Sequence, residues 1–161
     1  MKVVGIDLAG LEKNPTGFCV LTEEGSEVKV LYTDRQILDM IEIIRPDLIA
    51  IDAPFSFPAT GYFREGDIML REAGFRPLSP MFPGMRPLVN RAINLVEVLR
   101  ERNYKVIEVF PQASEKILGL LKKEDSNPHE YDSLLCAVTG KYFLEGRFRA
   151  LGKEEIIIPV I

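Results

Sequence analysis

At 161 residues the chain suits one domain, and its 47% hydrophobic content supplies enough apolar surface for a sizeable core. No apolar run approaches the roughly 18 residues of a membrane span, and the first residues lead straight into a strand rather than a basic leader, so a cytoplasmic protein with no membrane partner is expected. A net charge of −4 argues against broad coating of nucleic acid, and Cys19 and Cys136 lack the spacing of a zinc site, reading as reduced, buried thiols.

Residues 2–8 form a predicted strand of apolar β-formers interrupted by one carboxylate, Asp7, and closed at Gly10. Asn14-Pro15 marks a turn, residues 17–22 a second strand, Glu23–Ser26 a hairpin turn and residues 28–32 a third strand. These three strands form an antiparallel meander. Asp34 is the expected N-cap of a helix over 35–44, whose Ile37, Leu38, Ile41 and Ile44 share one face before Pro46 stops it. The almost wholly apolar run 47–52 is then a strand covered on both faces, and helix followed by buried strand implies a parallel crossover.

A helical, Pro-rich insertion is expected at about 53–103, with loops at 53–63 and 75–85 and helices over 64–73 and 87–103. A fifth strand follows at 105–110, then a short helix at 112–121, a polar loop at 122–128 and a helix over 130–144. A last strand or extended tail covers 155–160. The predicted architecture is α/β, a mixed five-stranded sheet (three antiparallel strands, then two parallel) with helices on both faces.

Four acids stand out by position. Asp7 lies inside the first strand, Asp52 at the end of the fourth, Glu108 inside the fifth and Asp132 at the start of the last long helix. A buried acid is costly unless paired. If strands one and four are neighbours, Asp7 and Asp52 meet on one face and the helix brings Asp132 over them. Clustered carboxylates repel one another and favour a bound hard cation, magnesium or manganese, and a pair of such ions suits phosphodiester hydrolysis. Each acid also has a structural role open to it: turn capping for Asp7 and Asp52, a solvent-facing edge position for Glu108, the helix dipole for Asp132.

His129, the single histidine, stands three residues before Asp132, where it either shares a face with that acid as a base or orienting group or caps the helix start. The segment 64–105 carries an excess of Lys and Arg, unlike its acidic flanks. Within it, Arg64 and Arg91 are candidate phosphate-binding residues, with exposed helix faces as the plainer alternative.

Gly5-Ile6-Asp7-Leu8-Ala9-Gly10, Thr16-Gly17, Ile51-Asp52-Ala53-Pro54, Glu108-Val109-Phe110-Pro111 and His129-Glu130-Tyr131-Asp132 together resemble a family of predicted nucleases of ribonuclease-H-like fold, itself a domain of unknown function. More distantly the pattern is similar to Holliday-junction resolvases and to resolvase-like nucleases implicated in ribosomal RNA maturation. The acids of those relatives match Asp7, Asp52 and Asp132 here, and Glu108 matches the strand-five acid of the second group. That group follows its acid with arginine, whereas Val109 follows here.

The resemblance implies magnesium-dependent phosphodiester cleavage of a nucleic acid of unspecified type through the matching acids Asp7, Asp52, Asp132 and Glu108, and the residues themselves add His129 to the expected catalytic set and manganese as the alternative ion. Asp7, Asp52 and Asp132 would be metal ligands. Two other readings compete. One is a catalytically inactive ligand- or partner-binding module of the same fold. The other is a nucleotide-binding phosphotransferase of the actin and Hsp70 type, which needs a second lobe, supplied here only by a homodimer.

Overall fold

The computed structural model describes residues 1–122 and 125–161. In chain order its elements are β1 (Lys2–Asp7), β2 (Thr16–Thr22), β3 (Gly25–Leu31), α1 (Asp34–Ile44), β4 (Leu48–Asp52), α2 (Glu65–Glu72), α3 (Arg86–Glu101), β5 (Val106–Val109), α4 (Pro111–Leu118), α5 (Pro128–Leu144), β6 (Phe148–Leu151) and β7 (Ile156–Pro159). A single 3-10 turn, Pro83–Met85, leads into α3.

The strands form one sheet in the order β3-β2-β1-β4-β5-β7-β6. As expected, β1, β2 and β3 pair antiparallel, and β4 and β5 run parallel to β1. The expected five strands are, however, seven. Ile156–Pro159 pairs parallel with β5, and Phe148–Leu151 pairs antiparallel with β7 as the sheet's edge. The edge strand escapes sequence patterning because it is four residues long, with Arg149 and Ala150 exposed and Leu151 alone fully buried.

Alternation along the central strands builds a core on each face. Val3, Leu48, Ala50, Ile107 and Val109 pack under Cys136 and Ala137 of α5. Val4, Ile6, Ile49, Ile51 and Val106 pack under Ile37 and Ile41 of α1 and Ala92, Leu95, Val96 and Leu99 of α3. The second half of the expected insertion is thus part of the main core. A third cluster, with Leu70 of α2, Phe75, Ala113 of α4, Leu151, Ile156 and Ile158, lies toward the β6 end. Thr33, rather than Asp34, caps α1: it closes a capping box with Gln36. Among the described residues no helix is long and apolar enough to cross a membrane.

Glycines set the seat of α5. A Cβ on Gly5 would collide with the backbone of Ser133 and lie 2.9 Å from the Ala137 methyl; one on Gly17 would overlap the His129 carbonyl group. One on Gly140 of the helix itself would lie 2.6 Å from Val3. The helix backbone therefore rests directly on β1 and β2, closer than side chains would permit.

Candidate functional site

Asp7 and Asp52 end two adjacent parallel strands in level register. Paired positions in a ladder point to the same face, so both carboxyls emerge together at the C-terminal edge of the sheet, where ligands of open α/β sheets bind. Thr16, fully buried, accepts a hydrogen bond from the Ala9 N–H at 3.0 Å and fixes the chain just beyond Asp7.

Helix α5 supplies the other two groups. Its N-cap Asn127 accepts from the backbone N–H groups of His129 and Glu130, which orients the first turn. His129 Nδ1 then lies 3.2 Å from Asp7 Oδ2, with the imidazole 42% exposed. Asp132, one turn on, lines the same cavity as Asp7 and Asp52.

Electrostatics mark these acids as a strained group. Burial raises the Asp7 carboxyl, against the lowering influence of His129. Asp52 is pushed well above the usual carboxylate range by burial, then by Asp7 and Asp132. Asp132 is raised to about 6 by burial and by Asp7. Each acid thus resists ionising next to the others, and a cation would relieve the conflict.

Among the described residues no three His, Cys, Asp or Glu side chains stand together as ligands of one ion. Asp132 acts on the Asp7–Asp52 pair through its charge. The expected grouping of Asp7, Asp52 and Asp132 as three ligands of one ion is thus not met among the described residues, whereas Asp7 and Asp52 stand side by side. Magnesium commonly takes one or two carboxylates and completes its shell with water and substrate phosphate, so the oxygen donors present still fit it.

Glu108 lines the same cavity and its charge adds to the rise of Asp52, but it does not reach the Asp7–Asp52 pair from the same face of the sheet. Its Cα pairs with Ile51, one residue out of step with Asp52, so its side chain leaves the opposite face. There Arg64 Nη1 and Nη2 donate to its two oxygens at 2.9 and 2.7 Å, and the Phe55 N–H donates at 2.9 Å. Burial raises the Glu108 carboxyl in spite of Arg64.

Arg64 spends its remaining donors on Asp67 (Nε at 2.9 Å, Nη2 at 3.0 Å) and on Ser56 Oγ at 3.4 Å. Only 3% exposed, it is held as a cation inside the protein by these two acids. Arg91 is similarly occupied: it donates to Asp34, to the Ala9 carbonyl and to the Tyr32 carbonyl at 2.7–2.8 Å, tying α3 to the loop after Asp7. The two arginines expected to grip phosphate therefore brace the site from behind.

A cavity of about 960 Å³ opens over the ends of β1, β4 and β5. Asp7, Asp52 and Asp132 line it together with the apolar Phe75, Leu78, Met85 and Leu88. Sequence reasoning assigned no role to Gly5 or Gly17, although both fall within the quoted motifs, because a close helix–strand approach leaves no periodic trace.

The sheet order and the placement of acids at its edge define the ribonuclease-H-like class of fold. Among solved structures the chain is similar to Thermus thermophilus RuvC. In complex with Holliday junction substrate that protein is 18% identical, with a TM-score of 0.58 over 91% of this chain and 96% of that one. A second RuvC structure is 18% identical with a TM-score of 0.56, over 91% and 97% of the two chains. No protein-family model matches the chain, and no curated protein matches it significantly.

Proposed function

We propose that this protein is a magnesium- or manganese-dependent nuclease that hydrolyses phosphodiester bonds, with the cation held by Asp7 and Asp52. The level pairing of these two acids, whose carboxyls perturb each other at the floor of a solvent-open cavity, carries the reading. The RuvC fold and the nucleic acid in one of its structures support it. When bound, the cation would neutralise phosphate charge and make water a better nucleophile.

The chain's own groups then divide the work. His129 holds the outer oxygen of Asp7 and leaves its ring open to solvent for proton transfer. Asp132, with its carboxyl raised to about 6, takes the proton from the attacking water. The water oxygen bonds to phosphorus, one ester P–O bond breaks, and the leaving alkoxide is protonated. Glu108 and Arg64 position the floor without touching substrate.

Manganese titration followed by electron paramagnetic resonance, together with cleavage of labelled DNA and RNA oligonucleotides, tests the proposal. Asp52→Asn is expected to abolish both manganese binding and cleavage while the protein stays folded. Equal manganese affinity in the wild type and in this variant would overturn the assignment.

A further inference from the structure

The apolar side chains lining the cavity have no part in the hydrolysis just described. Leu78 and Leu120 keep 59% and 39% of their surface exposed while lining it, and Met85 and Leu88 complete the wall. Large apolar side chains turned toward a solvent-filled concavity suit a flat, apolar-faced ligand part.

Charge narrows the choice. Among the described lining residues the cations are Arg64, Arg76 and Lys116, against Asp7, Asp52, Asp67, Glu108, Glu115 and Asp132. Arg64 is consumed internally by Asp67 and Glu108. Two cations remain among the described lining residues, and Lys116 sits 5.8 Å from the centre of the Phe75 ring. A continuous duplex is normally held by a long series of phosphate contacts, which this lining lacks.

A volume of about 960 Å³ lies within the range of pockets that enclose a single compact ligand. One nucleotide unit matches these features: a phosphate for the carboxylates and their cation, and a base whose faces pack between apolar side chains.

We infer that the cavity receives one unpaired nucleotide, its base against Leu78, Met85 and Leu88, so that the substrate is a single-stranded segment or strand end rather than continuous duplex. This rests on the nuclease reading and gives it a substrate class.

Fluorescence anisotropy with a labelled 12-nucleotide single strand, the matching duplex and a four-way junction, with calcium as the cation, tests it. The single strand is expected to bind about tenfold or more tightly than the duplex, the scale of one base packed in a pocket. Its log affinity should fall with log salt at a slope of about −1.4, for two phosphate contacts on a single strand. Leu78→Asp should erase the preference, Leu78→Met should keep it, and neither should alter manganese affinity. Equal binding of all three nucleic acids, or indifference to Leu78→Asp, would overturn the inference even if manganese-dependent cleavage is seen. Strand-selective binding lost in Leu78→Asp, with no cleavage of any substrate, would instead uphold the nucleotide pocket and remove the nuclease reading.

Discussion

Gly17→Ala probes the seat of α5 directly. An added Cβ would overlap the His129 carbonyl oxygen, lie 2.5 Å from its carbon and stand 3.2 Å from Ser133 Cβ. Ordinary contact begins near 3.4 Å, so the first turn of α5 must retreat by more than about 1 Å, and a displacement of about 1 Å already costs on the order of 100-fold in rate when catalytic groups are involved. Overpacking of this kind destabilises by about 1–3 kcal/mol, and for a chain of this size each kcal/mol lowers the melting temperature by about 2–4 °C. Asp7 and Asp52 belong to the sheet, so manganese affinity should stay within about twofold, the spread expected of an undisturbed site. Thermal melts, manganese titration and oligonucleotide cleavage measured on one preparation give all three quantities. Wild-type melting and wild-type cleavage in Gly17→Ala would refute the idea that close helix–sheet contact places His129 and Asp132.

Three further substitutions divide structure from chemistry. Arg64→Met leaves Glu108 and Asp67 buried without their cation and should cost about 3–5 kcal/mol in urea unfolding. Glu108→Gln should cost less and leave manganese affinity unchanged, whereas a ligand role would make that affinity collapse. Asp52→Asn removes a carboxyl whose ionisation burial and its neighbours oppose, and should stabilise the metal-free protein by about 0.5–2 kcal/mol. The pH dependence has a fixed sign. Asp132 titrates at about 6 in the folded protein, above its ordinary 3.8, so its contribution is fully present below 3.8 and is lost as pH rises through 6. Metal-free wild type should therefore lose stability between pH 4 and 7, with a smaller loss in Asp132→Asn, and a decline of equal size in that variant would refute the assignment. His129→Ala should lower the cleavage rate about 100-fold, the scale of one general acid–base group, with manganese binding intact.

The meeting of Asp7 and Asp52 was legible in the sequence because it depends on simple facts: an acid in an apolar strand, another at the end of a buried strand, and a helical crossover that makes the two parallel neighbours. Glu108 was misplaced because strand alternation depends on register. A shift of one residue sends a side chain to the other face, and the pairing of Glu108 with Ile51 appears only in the folded sheet. Arg64 and Arg91 looked like phosphate ligands because their partners are remote. Arg64 meets Glu108 from 44 residues away, and Arg91 meets Ala9 from 82. β6 hid because an edge strand with two exposed residues carries little hydrophobic pattern. For Glu108 and the two arginines the missing information was long-range pairing; for β6 it was a hydrophobic pattern too short to read.

The three separate apolar clusters have a consequence for how such a fold diverges. The acids stand on strands whose side chains belong to the two central clusters, while Leu70, Phe75 and Ala113 beside the cavity belong to the third. Residues of that flank can be exchanged, lengthened or trimmed without repacking the strands beneath the carboxylates. The Arg64–Glu108 ion pair is a fastening between the two parts, joining the start of α2 to β5. The shape and polarity of the cavity wall can thus drift while the paired carboxylates of the floor stay in place, and a lineage keeping this floor could acquire new ligands by changing its wall.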